Sequence, residues 1–151
     1  MAYTNPPVHE VILDVRFSDD ANLLELQTVS ANLQGMFGFS KITEQVQLNH
    51  SFTVGSSPIN NSVTKKTDGF IVATEDDSAS ISVLTRQLTM HLVRSKGWPS
   101  GEYIGWSNIS ERFGRVREYC AAAYSDLNLE RVGLRYLNRI AIPVDLSLIH
   151  I

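Results

Sequence analysis

The sequence has a single cysteine and no long apolar run. Cys120 is the only cysteine in 151 residues, so the chain cannot form an internal disulfide or a cluster of thiolate metal ligands. No stretch approaches the roughly 18 consecutive apolar residues that a membrane-spanning helix needs. The opening residues, MAYTNPP, lack the basic and apolar regions of a signal peptide. These absences predict a cytoplasmic protein without a metal or cofactor and without a membrane partner.

Motifs of familiar catalytic sites are also missing. The sequence contains no HExxH, no GxSxG, no phosphate-binding glycine loop and no DxDxDG loop. Glu44 and His50 interrupt one face of a predicted strand, but their spacing places them about 20 Å apart, too far to act on one bond. An enzyme is therefore the less favoured class. A hydrolase whose site lies in residues outside this sequence is retained as a third hypothesis.

The composition is that of one globular domain. Apolar residues make up 43% of the chain and charged residues 19%, within the range of folded proteins. The net charge of −3 gives no overall attraction to nucleic acid or to an anionic membrane, so nucleic acid is not an expected partner.

Residue periodicity predicts the secondary structure. Residues 8–17 alternate as a half-buried strand, and the next apolar spacing is helical, with Asp19 or Asp20 as N-cap and Gly38 at the C′ position. A long strand is predicted over 41–54, with Ile42, Val46 and Leu48 on its core face.

The middle of the chain predicts a polar loop and three short strands. Residues 55–68 form the loop, and the strands cover 70–75, 80–84 and 87–94, with turns at 75–78 and 85–86. One long bent strand is the alternative for the last two. After a loop over 95–105 that holds Trp98, a helix is predicted over 106–125, with an apolar stripe made of Ile109, Phe113, Val116, Cys120 and Ala123.

A final strand over 130–142 completes the order β-α-β-β-β-β-α-β. This order predicts an α+β fold in which two helices cover one face of an antiparallel sheet. It is similar in topology to the unit duplicated in TATA-box-binding-protein-like and helix-grip folds, an analogy that carries no function. VHEVILDVRF and VGLRYLNRIAI also resemble each other. We therefore divide the chain into an α+β domain, 1–128, and a terminal strand, 129–151, that could open a second, incomplete repeat.

The last strand carries the candidate ligand site. Arg131, Arg135 and Arg139 fall on one face at intervals of about 13 Å, and Asn138 and Glu10 complete the candidate set. The favoured interpretation pairs the arginines with Glu10 and Asp14 of the first strand, or leaves them in contact with solvent. In the alternative, the guanidinium groups bind a small anionic ligand such as a carboxylate or a nucleotide phosphate.

Three short motifs carry a family resemblance. They are Pro6-Pro7-x-x-Glu10, Tyr103-x-Gly-Trp106 at a helix start, and Arg135-Tyr-x-Asn138-Arg139. Together they resemble an uncharacterised, sporadically distributed family of bacterial cytoplasmic proteins. The resemblance implies a bacterial origin and an architecture but no reaction. Members of that family continue further, so this chain is expected to be a truncated or N-terminal portion.

Two functional hypotheses follow from these observations. The first is a non-catalytic binding or assembly module that works as a homodimer or with a protein partner. It rests on the last strand, whose apolar side needs cover while the two helices already serve the other strands. The second is a ligand- or nucleotide-sensing domain that uses the arginine-bearing face.

Overall fold

One six-stranded antiparallel sheet and two helices make up the protein. The computed structural model describes residues 8–36, 38–53, 60–94 and 105–138. The elements are β1 (Val8–Phe17), α1 (Leu23–Leu33), β2 (Phe39–Thr53), β3 (Asn60–Thr74), β4 (Ala79–Leu84), β5 (Gln87–Val93), α2 (Gly105–Tyr124) and β6 (Leu129–Asn138). The strands lie in the order β2-β3-β4-β5-β1-β6. The predicted α+β class and the predicted element order are confirmed.

Both helices pack on the same face of the sheet. Val11 and Leu13, alternate residues of β1, are at most 5% exposed and belong to one apolar cluster. Leu26 of α1 and Ile109 of α2 join this cluster and are fully buried. Because side chains alternate across a strand, Ile12 and Asp14 lie on the opposite face, which the helices leave open.

The ends of α1 differ from the sequence prediction. The N-cap is Asn22, whose Oδ1 accepts hydrogen bonds from the amides of Leu24 at 2.9 Å and Glu25 at 3.4 Å. Asp19 and Asp20 lie too far upstream to cap the helix. The helix ends at Leu33 and Gly35, with φ +88°, takes the left-handed position after it, so the prediction of Gly38 at C′ was wrong.

The hairpin of β2 and β3 reaches further than the sequence suggested. β3 begins at Asn60, so the described part of the predicted polar loop is strand, paired with β2 from Thr53↔Asn60 onward. Two of the residues predicted on the core face of β2 are exposed, Leu48 at 67% and Ile42 at 40%, whereas Val46 is half-buried. Phe39, at the start of the strand, is 5% exposed. Away from that end, the strand has little contact with α1 and α2, so its alternation does not mark a buried face.

Two tight turns agree with the prediction. Residues 75–78 form a turn in which the Asp76 carboxylate accepts hydrogen bonds from the Ser78 amide and hydroxyl and from the Thr74 hydroxyl. These bonds lower the pKa of Asp76 to about 2. A second turn at 85–86 separates β4 from β5, so the alternative of one bent strand was wrong.

The C-terminal end of α2 is fixed to the sheet by Tyr124. The Tyr124 hydroxyl donates to the carbonyl of Leu84 at 2.6 Å, and its ring stacks on Phe17 with the ring centres 4.5 Å apart. β6 then pairs with β1 and closes that edge of the sheet. Trp98, Arg139 and the predicted continuation of the last strand to 142 lie outside the described residues.

Candidate functional site

The face of the sheet opposite the helices carries most of the polar candidates. Asp14 lies at its centre, opposite Thr89 of β5 and Gly133 of β6. Arg16 is the next residue of β1 on this face, and it lies opposite Gln87 on one side and Arg131 on the other. On the other side of Asp14 the same pairing sets Ile12 between His91 and Arg135. We call the part of this surface formed by Arg16, Arg131 and Arg135 the arginine face.

The structure brings together some of the predicted site residues and separates others. Arg131 and Arg135 are exposed and share one face, as the alternation predicted. Asn138 lies opposite Val8 and shares the helix side of β6 with Leu134 and Tyr136, so it is not a neighbour of the arginines. Arg139 lies outside the described residues.

Glu10 and Asp14 bind groups other than the β6 arginines. A carboxylate oxygen of Glu10 lies 3.0 Å from His91 Nε2, and the other lies 3.9 Å from His9 Nε2. Asp14 has Arg16 as its nearest cation, with 3.7 Å between Oδ2 and Nε. The structure does not pair these two acids with Arg131 and Arg135; both arginines are exposed to solvent, which is the other branch of the interpretation favoured from sequence.

A small polar pocket opens beside Arg16, where the β4–β5 turn meets the end of β1. Its volume is about 220 Å³. The lining residues come from six strands and one turn, and they are Arg16, Phe17, Gln47, Asp68, Leu84, Arg86, Gln87 and Glu130. An irregularity in the β1–β6 pairing, between Arg16↔Arg131 and Phe17↔Leu129, leaves Glu130 without a β1 partner. This bulge allows Glu130 to line the pocket beside Arg16.

An apolar groove lies on the opposite side of the sheet, between α2 and strands β1, β5 and β6. Its volume is about 640 Å³. The lining is mostly apolar, and it consists of Val15, Phe17, Leu88, Ser110, Phe113, Gly114, Arg117, Glu118, Cys120, Ala121, Tyr124, Ser125, Leu129 and Val132. We call it the β6 groove.

The helix side of β6 is poorly covered next to this groove. Val132 is 63%, Leu134 47% and Tyr136 36% exposed. They belong to the apolar side of the last strand, which the sequence analysis expected to need cover, and the register places them on the helix side. They remain exposed because β6 is an edge strand and α2 crosses the sheet on the far side of the groove. These three residues form the β6 strip.

The structure also gives the surroundings of Cys120 and of the pair Glu44 and His50. Cys120 is fully buried on α2, and burial raises the pKa of its thiol to about 12, which makes the thiolate scarce. Glu44 is exposed and accepts a hydrogen bond from the Thr67 hydroxyl on β3. His50 lies opposite Val63, whereas Glu44 lies opposite Phe70, so the pairing keeps Glu44 and His50 apart.

Sequence reasoning missed Arg16, Arg86 and the two glutamines of the polar pocket. Arg16 follows the alternation of β1, and pairing β1 with β6 would have identified Arg131 as its neighbour. The turn position of Arg86 and the approach of Gln47 from β2 leave no periodic signal in the sequence.

The residues described here include no group of three His, Cys, Asp or Glu side chains placed to hold a metal ion. Neither described helix combines the length and apolar character that crossing a membrane requires. No family model matches the chain, and no curated protein or solved structure is significantly similar to it.

Proposed function

We propose that the protein is a non-catalytic binding and assembly module of the bacterial cytoplasm, which forms a homodimer through the helix side of β6. The observation that carries the proposal is the β6 strip, an apolar surface continuous at Val132 with the 640 Å³ groove beside α2. A contiguous apolar patch of this kind marks an interaction surface rather than ordinary surface scatter. The bacterial and cytoplasmic parts rest on the sequence motifs and on the single, buried cysteine.

The apolar side chains of the strip are large enough to contribute substantially to association. Each fully buried Val or Leu side chain contributes about 1.5–3 kcal/mol by leaving water. Tyr136 adds a large aromatic surface with a polar tip, a combination that is common in interfaces.

Two features favour a second copy of the chain as the partner. β6 is the last strand of the sheet, so its outer edge can pair with the same edge of another copy. The groove is flanked by Arg117 and Glu118, adjacent residues of opposite charge. Under a twofold axis, Arg117 of one copy can meet Glu118 of the other, which makes this rim self-complementary.

Light scattering coupled to gel filtration tests the proposal. At micromolar concentration we expect twice the chain mass of 16.8 kDa. Leu134→Asp places a charge in the middle of the strip and should give the single-chain mass.

Leu48→Asp is the matched control, because Leu48 is a 67% exposed leucine on the opposite edge of the same sheet. This variant should keep the dimer mass. A wild-type protein that has the single-chain mass, or a dimer that Leu134→Asp leaves intact, would overturn the proposal.

A further inference from the structure

The hairpin of β2 and β3 extends beyond the rest of the sheet as a two-stranded arm. Residues 46–53 of β2 pair with residues 60–67 of β3 in eight consecutive pairs. β3 pairs with β4 only over Gly69–Ala73, so no third described strand continues alongside these pairs. Eight residues at about 3.4 Å each give a length of about 27 Å. We call residues 46–53 and 60–67 the β2–β3 arm.

The base of the arm is fixed to the body of the sheet at Asp68. The Asp68 carbonyl accepts a hydrogen bond from the Thr85 amide at 2.7 Å, and one carboxylate oxygen accepts one from the Thr85 hydroxyl at the same distance. The other carboxylate oxygen accepts a hydrogen bond from Gln47 Nε2 at 3.3 Å. Lys66 Nζ lies 3.3 Å from the Asp20 carboxylate, in the segment between β1 and α1. These contacts fix the direction in which the arm leaves the sheet.

Solvent surrounds the arm on both faces. All of its described side chains are exposed except Val46 and Thr67, which are half-buried at its base. Leu48 and Val63 are apolar, and they are 67% and 56% exposed. A two-stranded hairpin is only marginally stable in water, and a further strand or a helix is needed to stabilise it. The arm therefore lacks a neighbour that another polypeptide can supply.

The outer edge of β2 is uncharged along the arm. β2 is the outermost strand of the sheet, and no described strand pairs with its outer edge. From Gln45 to Thr53 it contains no Lys, Arg, Asp or Glu and no Pro or Gly. Charged residues, lysine above all, and proline are what normally prevent a free edge from pairing. The other strand of the arm has Lys65 and Lys66, so its edge is protected in this way and that of β2 is not.

The side chains of this edge are complementary to a second copy of themselves. Gln45 and Asn49 lie on one face of β2, and an amide both donates and accepts hydrogen bonds, so it can pair with an identical amide. Leu48, on the other face, can pack against the same leucine of a second copy. An antiparallel pairing of this segment with itself also brings no like charges together. A second copy therefore fits the edge without any change of sequence.

We propose that the β2–β3 arm is a second self-association surface, on which β2 pairs in antiparallel orientation with β2 of another copy. The pairing joins two exposed two-stranded arms into one four-stranded ribbon and covers Leu48 of both chains. It belongs to the small, transient class of contacts, because one strand edge and a few side chains of each copy take part. We expect it to form at higher concentration than the dimer at β6.

The arm and β6 lie at opposite edges of the sheet. A chain that uses both edges, each through a twofold contact, links dimers into larger assemblies. Only this enlargement rests on the dimer proposed above, because the arm contains no residue of the β6 strip or the β6 groove. The two proposals can therefore fail separately.

Sedimentation velocity over a concentration series tests the arm. The mass of the wild-type protein should increase beyond that of a dimer when the concentration is raised about a hundredfold from the micromolar range. Leu48→Asp should remain a dimer throughout, because both copies then bring a negative charge to the same contact. Tyr119→Asp is the matched control and should associate like the wild type, since Tyr119 is a 53% exposed residue of α2 that lines neither surface.

A second series isolates the arm by removing the contact at β6. Leu134→Asp should have the single-chain mass at micromolar concentration and twice that mass at the highest concentration. In this background, Asn49→Lys and Asn49→Asp should each remain single chains, because like charges meet across the twofold axis. An equimolar mixture of these two variants should pair again, because the charges are then opposite. Recovery in the mixture identifies a second copy as the occupant of the edge, and thermal melts show whether each variant is folded.

The arm proposal is wrong if the folded Leu134→Asp protein keeps the single-chain mass at every concentration. It is equally wrong if folded Leu48→Asp associates like the Tyr119→Asp control, or if the Asn49 mixture associates no better than its components. A wild-type protein that is a single chain at micromolar concentration but pairs through the arm at higher concentration would contradict the dimer at β6 and support the arm.

Discussion

The carboxylate of Asp14 lies against Gly133, its partner across the β1–β6 pairing. A Cβ atom at position 133 would come 2.9 Å from Asp14 Cγ, closer than real Cβ contacts allow. Asp14 is only 9% exposed although it lies on the open face, and its Oδ2 has no hydrogen-bond partner among the described residues. The missing side chain at 133 therefore makes room for a buried carboxylate between Arg131 and Arg135.

Gly133→Ala should destabilise the protein by about 1–2 kcal/mol, the usual range for overpacking a site that can partly relax. Asp14→Ala should remove most of this cost when the two changes are combined, because the added methyl then has space. Urea unfolding of the four proteins in this cycle measures the coupling. Additive effects would mean that Asp14 and Gly133 are not in contact.

Alanine substitution should lower the stability of the protein at one further glycine and raise it at another. At Gly69, with φ +141°, a Cβ would come 2.7 Å from the backbone atom Leu84 Cα, so Gly69→Ala should cost at least about 3 kcal/mol. At Gly114, inside α2, a Cβ meets nothing within 4 Å, so Gly114→Ala should stabilise the protein by about 0.5–1 kcal/mol. Chemical denaturation of both variants checks the contrast, and effects of the same sign would contradict it.

An introduced charge should destabilise the protein when it is placed on the buried strand β1 but not when it is placed on the exposed part of β2. Leu13→Asp buries an unpaired carboxylate at a position 5% exposed and should unfold the domain. Leu48→Asp changes a residue that the sequence assigned to the core but that is 67% exposed, so its melting temperature should stay close to that of the wild type. Circular dichroism melts provide the comparison, and equal losses in the two variants would refute the assignment of faces.

Alkaline pH should destabilise the fold through Cys120 and Tyr124. Burial raises the pKa of Cys120 from 9.0 to about 12, and burial also raises the pKa of Tyr124. Above pH 9 the unfolded chain therefore releases protons that the folded chain keeps, so the free energy of unfolding falls as pH rises. Each group contributes up to about 1.4 kcal/mol per pH unit in the window between its two pKa values.

Urea unfolding between pH 8 and pH 11 would test this expectation, with Cys120→Ala as the comparison. Because alanine cannot titrate, the variant should show a shallower loss of stability above pH 9 in this range. An identical slope in the two proteins would exclude Cys120 as a cause.

Generic DNA should not bind at physiological salt. The net charge of −3 opposes binding, and the described neighbours of Arg131 and Arg135 on the open face include no aromatic side chain on which bases could stack. Fluorescence anisotropy with duplex and single-stranded oligonucleotides checks this expectation. A salt-dependent, sub-micromolar interaction that Arg135→Ala and Arg139→Ala abolish would contradict it.

The sequence by itself determined the elements that touch the core. The predicted bounds of β1 agree with the structure, and α2 was placed within one residue at each end, over Gly105–Tyr124. Both elements bury one face, so every second residue of the strand and one stripe of the helix had to be apolar. The class and the order of elements followed from those patterns.

Only the tertiary structure decided which surfaces stay exposed and which polar side chains meet. The β2–β3 hairpin has little cover from the helices away from the end where Phe39 and Val72 are buried, so its pattern did not predict its burial or the start of β3 at Asn60. The meeting of Arg16, Arg86, Gln47 and Glu130 depends on strand order, a turn and a bulge. Residues far apart in the chain leave no local periodicity when they become neighbours, so the pocket became visible only once the sheet had formed.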